Sequence, residues 1–184
     1  MMVGFAYTKT LNHGIMYTKV NLILIAALLY VIAGCDVIAA DNRCSDKNVD
    51  LIKNPFLESQ DEIQAVLDGI FKAIQDKDAD KLISYHVYGD KFTEFRDSEY
   101  RFNSEENEQF ERGLVGAISG FDYNLGDLKI NVFGDVAVVT FHADFRPVFG
   151  EDVVQLWEST TLVFVKVGGE WKITHEHHSP LNVE

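Results

Sequence analysis

Two histidines near the C-terminus, His175 and His177, are separated by one residue and are candidates for acid–base catalysis. In a strand, residues two apart project from the same face, and Trp171 and Ile173 are apolar residues of the same alternation. The pattern therefore predicts that both imidazoles point inward. Imidazole titrates near neutral pH, so the pair could act as general base and hydrogen-bond donor. Alternatively, both are structural residues that bond strand or helix-end groups.

A His-x-His pair on one strand could also begin a metal site, with Glu94 or Glu158 as a third ligand. No further ligand lies at a local spacing, and the acidic residues 76–80 lack the glycine and final glutamate of a calcium-binding EF-hand loop. The sequence also has no glycine-rich phosphate loop and no G-x-S-x-G nucleophile motif. We therefore expect no metal and no other cofactor.

The composition is that of one globular domain with a short appendage. The chain has 184 residues, of which 47% are hydrophobic and 24% are charged. Its formal net charge is −13 at pH 7, and so acidic a surface repels nucleic-acid phosphates and anionic lipid head groups. We expect no nucleic-acid partner, and contact with a membrane only through a lipid anchor.

The elements that must position these residues begin with three amphipathic helices. Residues 59–62 (Ser-Gln-Asp-Glu) have the pattern of a capping box, and an apolar stripe at helical spacing follows them. Asp78 is expected to start a second helix, and Asn103 a third that ends before Gly120. A short strand is expected near residues 91–96.

After Gly120 the apolar period changes from 3.6 residues to two, which predicts strands. Turns are expected at Gly134-Asp135 and Gly168-Gly169, and the later strands at about 153–167 and 171–178. Helices followed by such strands predict an α+β fold, a cone-shaped barrel of three N-terminal helices packed on a curved antiparallel sheet.

Residues 162–165 (Leu-Val-Phe-Val) are apolar on both alternations, so this strand needs cover on both faces. A homodimer through the outer sheet face is the simplest cover, and a loop or the N-terminal segment is the alternative. If the segment is exposed in a monomer, it favours a protein-interaction hub instead.

Residues 22–33 are consecutive apolar residues that follow Lys19. The run is too short to span a bilayer but suits the hydrophobic region of a secretory signal peptide. Met16 is the expected start of translation, because the residues after it form a compact basic region before the apolar run.

The end of that run, residues 32–35 (Ile-Ala-Gly-Cys), resembles the lipobox of bacterial lipoproteins. The resemblance implies that residues 1–35 are a signal peptide and that Cys35 is lipidated as the mature N-terminus. It places the protein in the bacterial cell envelope, and Asp36 favours the periplasmic side of the inner membrane.

Residues 36–57 lack sustained periodicity, and we interpret them as a tether to a domain at residues 58–181. Cleavage after Ala39, which would release a soluble secreted protein, is the alternative to lipidation.

The C-terminal pattern of Trp171, His175, His177 and Ser179 is similar to that of the association domain of calcium/calmodulin-dependent protein kinase II. With the helices, short strand and final strands, the chain resembles the nuclear transport factor 2-like superfamily, which also contains the SnoaL-like domains. The resemblance implies a pocket between helices and sheet, and frequent dimers.

Functional residues of that superfamily carry over poorly. The tyrosine donor and aspartate base of its steroid isomerases fall on Phe71 and Phe95, and Glu94 is one residue from the base position. Phenylalanine cannot transfer a proton, so that chemistry would need Glu94 instead. The pocket arginines of the kinase association domain fall on Ala143 and Leu162.

The predicted pocket is largely apolar and aromatic, the usual makeup of a small-molecule site. Its predicted lining is Phe71, Tyr85, His86, Tyr88, Phe95, Phe141, Ala143, Glu158, Leu162, Trp171, His175 and His177. The catalytic candidates are His175, His177, Glu94 and Tyr85. We expect an envelope-anchored module that binds a small apolar or aromatic ligand, or dimerises, without turnover. The alternative is an isomerase, cyclase or hydratase that uses His175 or His177 as acid and base.

Overall fold

The structure is a computed structural model that describes residues 49–182. The helices are α1 (Leu57–Gln75), α2 (Ala79–Ile83) and α3 (Ser104–Ala117). The strands are β1 (Thr93–Arg96), β2 (Gly120–Phe133), β3 (Val136–Phe149), β4 (Asp152–Val153), β5 (Leu156–Val167) and β6 (Glu170–Pro180). The predicted signal peptide, Met16, Cys35 and most of the predicted tether lie outside the described residues. No helix within residues 49–182 is long and apolar enough to cross a membrane.

The helices pack against a curved sheet in the order β1-β6-β5-β3-β2, with β4 paired to β3. This confirms the α+β fold expected from the change of period after Gly120. The sheet is mixed, because β1 runs parallel to β6 while the other pairs are antiparallel. In the chain, β1 lies between α2 and α3 and is not part of a hairpin. This edge strand therefore comes from the helical half of the sequence.

The core lies between α1 and the inner face of the sheet. Ile63, Leu67 and Phe71 share one face of α1 and are buried, as the helical spacing predicts. They meet inner-face strand residues such as Val139 and Phe164, which are fully buried. Each such side chain contributes about 1.5–3 kcal/mol through burial, so this interface holds the helix over the sheet.

The start of α1 differs from the capping-box prediction. The helix begins at Leu57, and its N-cap is Phe56 in a left-handed conformation with no side-chain cap bond. The Glu62 carboxylate instead accepts bonds from Lys166 Nζ at 2.6 Å and from Trp171 Nε1 at 2.8 Å. Glu62, which the local pattern assigned to the cap, therefore bonds to distant residues on the sheet instead.

The other two helix starts are confirmed. The Asp78 carboxylate accepts from Lys81 N at the start of α2. At α3, the Asn103 side chain accepts from Glu106 N while the Glu106 carboxylate accepts from Asn103 N at 2.9 Å, which completes a reciprocal capping box. These caps fix the start of α2, which precedes His86, and the start of α3, which carries Asn107 and Glu111.

A bulge in β6 reverses the expected alternation. Val163 pairs with His175 but Phe164 pairs with Ile173, so Thr174 is an extra residue with no partner on β5. Trp171 and Ile173 face inward before the bulge, and Glu176 and His178 face inward after it. The prediction that His175 and His177 point inward is therefore wrong, because alternation was extended through a residue that interrupts it.

Candidate functional site

A cavity of about 640 Å³ lies between the helices and the inner face of the sheet. One part of its wall is apolar. The aromatic lining residues are Phe71, Phe110, Phe121, Phe141, Phe145 and Trp157. The ionisable lining residues are Arg96, Asp97, Glu111, Glu158, Glu176 and His178. The cavity thus combines a large aromatic surface with several charged groups from the sheet, from α3 and from the turn after β1.

All of these charged groups except the exposed Asp97 belong to a larger set that we call the buried polar cluster. Its members are His86, Glu94, Arg96, Asn107, Glu111, Glu158, Glu176 and His178. They come from the segment after α2 and from β1, α3, β5 and β6. Five separate parts of the chain therefore meet at one place.

Two carboxylates lie side by side at the centre of this cluster. Glu94 on β1 is opposite Glu176 on β6, and both are buried on the inner face. Asn107 from α3 donates through Nδ2 to Glu94 Oε2 at 2.7 Å and faces Glu176 Oε2 at 3.4 Å. The Arg96 guanidinium also pairs with Glu94. Two buried carboxylates on adjacent strands require such partners, because an unpaired buried charge costs several kcal/mol.

His86 holds the other side of Glu176. Its Nδ1–H donates to the Leu82 carbonyl at 3.2 Å, and its Nε2 lies 2.9 Å from Glu176 Oε1 and 3.5 Å from Glu111 Oε1. Burial disfavours the charged ring, but the negative charges of Glu176 and Glu111 outweigh it and raise the pKa of His86 to about 9. The ring is therefore an imidazolium at neutral pH.

His178 is the second imidazolium, and it lines the cavity. Its Nδ1 lies 3.2 Å from Glu158 Oε2, and its Nε2 lies 3.6 Å from Glu176 Oε2. Burial opposes the charge, yet the bonds to Glu158 and Glu176 raise the pKa of His178 to about 10. Burial alone would raise the pKa of Glu176, but His86 and His178 keep it well below its ordinary value.

Glu111 of α3 is a carboxyl group of the cluster whose pKa lies near neutral pH. Its burial, reinforced by the charge of Glu176, raises the pKa of Glu111 to about 7. The Tyr88 hydroxyl lies 3.2 Å from Glu111 Oε2 and also bonds Asn107. Glu111 can therefore gain or lose a proton near neutral pH at the cavity wall.

Two subsets have ligand atoms within 4.8 Å of one another, as a metal site requires: His86 with Glu111 and Glu176, and Glu94 with Glu176 and His178. Within residues 49–182, every fully buried side-chain nitrogen or oxygen already has a hydrogen-bond partner. Hydrogen bonds and ion pairs join the members of both subsets to one another and to Asn107.

Four of the predicted lining residues border the cavity: Phe71, Phe141, Glu158 and Leu162. Two more predicted residues, His86 and Tyr88, lie behind its wall in or against the buried polar cluster. Glu94 is fully buried in that cluster. It is one residue from Phe95, where the resemblance placed the catalytic aspartate of the steroid isomerases.

The remaining predicted residues lie elsewhere. Phe95 is 43% exposed, with its ring beside His175 and His177 on the other face of β1 and β6. His175 is placed by Thr93, whose hydroxyl lies 2.8 Å from its Nδ1, and His177 is exposed. The prediction that these residues line the pocket is wrong, because β1 and β6 turn them to the outer face.

Three other predicted residues have structural positions. The Tyr85 hydroxyl fills the space beside Gly69 on α1, where a Cβ atom would lie 2.2 Å from it. Trp171 is buried away from the cavity lining and bonds Glu62, and Ala143 is buried in β3. None of the three borders the cavity.

Glu111, Glu176 and His178 are the residues that the sequence analysis missed. His178 stands directly beside His177, so only the register of β6 distinguishes them. Glu111 lies in a helix rich in exposed acids, and nothing in its local sequence sets it apart. The buried Asn107, four residues earlier on α3, offered a signal, since a polar residue on a helix's apolar stripe often serves a buried partner.

Comparisons with known proteins agree with this fold. A family model described as a SnoaL-like domain matches residues 63–183. No curated protein matches the sequence.

Several solved structures share the fold. One is a protein of the NTF2-like (nuclear transport factor 2-like) family from Streptomyces avermitilis, proposed to be a dehydratase. It is 17% identical with a TM-score of 0.62, over 68% of this chain and 98% of that one. An NTF2-like protein of unknown function from Pseudomonas putida is 22% identical with a TM-score of 0.58, over 71% and 93%. A proposed calcium/calmodulin-dependent protein kinase II association domain from Xanthomonas campestris is 16% identical with a TM-score of 0.57, over 67% and 88%.

Proposed function

We propose that this chain, which belongs to the SnoaL-like domain family, binds a small and largely apolar molecule between its helices and its sheet. The observation that carries this proposal is the open cavity of about 640 Å³, a volume within the usual range of ligand sites, about 300–1,000 Å³. Phe71 and Phe141 line this cavity without closing it, and Phe95 lies outside it.

A neutral fluorescent probe, N-phenyl-1-naphthylamine, tests this proposal, because its emission rises in apolar surroundings. Leu114 is a partly buried cavity-lining residue, so a Leu114→Trp variant should fill the space and weaken probe binding at least about tenfold. Val153→Trp adds the same side chain at a position 63% exposed and outside the cavity lining, and should leave binding unchanged. Absence of probe binding to the folded wild type, or an equal effect of both variants, would contradict the proposal.

A second candidate function is proton-transfer catalysis of the isomerase or hydratase kind. It is favoured by the imidazolium of His178 at the cavity wall and by Glu111, whose pKa of about 7 suits a general base. In this candidate function, His178 has the acid–base role that the sequence analysis gave to His175 or His177. If this function holds, protein in D₂O should exchange the α-protons of some member of a cyclic ketone panel, and Glu111→Gln should abolish that exchange. Ligand binding without exchange would refute the catalytic function and leave ligand binding as the function.

We propose, from the sequence pattern at residues 32–35, that the domain is anchored in a bacterial envelope through a lipidated Cys35. Several acyl chains hold a protein stably in a membrane, whereas one chain binds only marginally. Mass spectrometry of the mature N-terminus should find diacylated cysteine. An unmodified Cys35, or a mature chain that starts after Ala39, would refute the anchor.

A further inference from the structure

We propose that the ligand of this cavity carries a cationic nitrogen, such as an alkylammonium group, on an aromatic or apolar body. This inference rests on the proposed binding function and adds the class of ligand.

The cavity wall has more acid than base. Among the described residues, four carboxyl groups line it, whereas the cationic lining residues are Arg96 and His178. The carboxyl groups are those of Asp97, Glu111, Glu158 and Glu176. Directly behind the wall, Glu94 and the His86 imidazolium offset one another in formal charge. Asp97 is exposed, whereas Glu111 and Glu158 are partly buried and Glu176 is buried. A ligand anion would add to the negative charge of these three groups, and a ligand cation would offset it.

The two cations of the wall are already engaged. Both ring nitrogens of His178 face carboxylates, Glu158 at 3.2 Å and Glu176 at 3.6 Å. The Arg96 guanidinium pairs with Glu94, and its Cζ lies 3.3 Å from the centre of the Phe110 ring. A ligand anion would have to compete for these donors. A ligand ammonium has carboxylate oxygens of Glu111 and Glu158 as acceptors.

The pKa values in the buried polar cluster indicate the same preference for positive charge. Burial by itself lowers the pKa of an imidazole, yet the pKa values of His86 and His178 are raised to about 9 and about 10 by Glu176, Glu111 and Glu158. The pKa of Glu111 is also raised, by burial and by the charge of Glu176. The potential at this wall thus favours bound positive charge, and an ammonium group is subject to the same potential.

Aromatic rings supply the rest of the site. Six aromatic side chains line the cavity, and the faces of such rings attract cations as well as apolar groups. Arg96 over Phe110 is an example of that attraction within the molecule. Together, the rings and carboxylates resemble in chemistry a site for an aromatic amine more than a site for a carboxylic acid or a phosphate.

Three matched compounds test the inference: 2-naphthylmethylamine, 2-naphthalenemethanol and 2-naphthoate, which share one ring system and differ in charge. Competition with N-phenyl-1-naphthylamine gives the three dissociation constants at pH 7. The amine should bind at least about tenfold more tightly than the alcohol, and the carboxylate should bind most weakly. Equal binding, or a preference for the carboxylate, would overturn the inference and leave the binding function standing. If the probe itself does not bind, so that no compound can displace it, both the inference and the binding function are overturned.

Charge-neutralising variants locate the effect. Glu111→Gln and Glu158→Gln keep the side-chain shape and should each reduce the preference for the amine over the alcohol at least about threefold. Glu151→Gln removes a carboxyl group from the exposed turn after β3 and should not change that preference. If all three variants behave alike, the amine is attracted by the overall acidity of the protein, and the inference fails.

Discussion

Glu176 is the residue on which the polar interior depends. Its carboxylate lies between two imidazolium rings and beside Asn107. Removing one partner of a buried ion pair typically costs about 3–5 kcal/mol, because the remaining charge stays buried without compensation. The cluster therefore acts as a unit, in which each charge is tolerated only because its neighbours are present.

The free energy of unfolding should fall as the pH rises from 7 to 10. The folded-state pKa values of His86 and His178, about 9 and about 10, lie above the ordinary value of 6.5. Their stabilisation is therefore complete below pH 6.5 and is lost as the pH passes through the folded-state values. Between these limits the slope approaches about 1.4 kcal/mol per pH unit for each imidazole. Urea denaturation at a series of pH values measures it.

A variant and a control identify the source of that slope. Glu176→Gln removes the charge that both imidazoles share, so its stability should depend much less on pH in this range. His175→Gln changes an imidazole on the outer face of β6 and should keep the wild-type slope. An unchanged slope in Glu176→Gln would show that the histidines are not coupled to this carboxylate.

At the scale of elements, the bulge at Thr174 decides which face of β6 carries chemistry. Beyond it, the inward residues of β6 pair with inward residues of β5: Glu176 with Leu162, and His178 with Thr160. A single unpaired residue thus exchanges the two sets of histidine and glutamate side chains between faces.

Deleting Thr174 should preserve the inner face, because the strand then alternates without interruption from Ile173 to Glu176 and His178. Deleting His177 instead moves His178 outward and leaves the bulge in place. We expect the Thr174 deletion to stay folded and bind N-phenyl-1-naphthylamine, and the His177 deletion to lose binding. Circular dichroism melts accompany the binding measurement. The reverse result would refute the assigned register.

Helix caps provide a second element-scale prediction. Asn103→Ala removes two bonds to backbone N–H groups and should reduce the free energy of unfolding by about 1 kcal/mol. Ser59→Ala lies inside α1, which Phe56 precedes as N-cap, and should change it by less than about 0.5 kcal/mol. Equal losses in chemical denaturation would restore the capping box predicted at Ser59.

At the scale of the whole molecule, the outer sheet face carries four valines on paired positions of β3 and β5. They are Val136, Val138, Val163 and Val165. Val136 is 41% exposed, and the other three are half-buried. We propose that a second copy of the chain covers this face, as the doubly apolar segment 162–165 predicted.

Light scattering tests that dimer. The purified domain should have twice the mass of one chain, and Val163→Lys should reduce it to the mass of one, since a buried lysine charge opposes association. Gln109→Lys adds the same charge at an exposed site on α3, on the helical side of the sheet, and should leave the dimer intact. A monomeric wild type at micromolar concentration would refute the interface.

The sequence by itself determined the elements whose signals are local. The apolar stripe of α1, the caps at Asp78 and Asn103 and the turn glycines each act within a few residues, and the structure confirms them. The order of helices and strands was enough for the fold class. Phe71, Phe141, Glu158 and Leu162 were predicted to line the pocket because helix spacing, strand alternation and the family resemblance agreed at these positions.

Only the tertiary structure decided which charged residues share the cavity wall. His178 replaces His177 there because pairing with β5 leaves Thr174 unmatched, and register depends on both strands at once. Glu111 and Glu176 meet through the packing of α3 on β6, 65 residues apart in the chain. Alternation and helical period describe one element at a time, whereas a cluster built from five parts of the chain depends on how those parts pack.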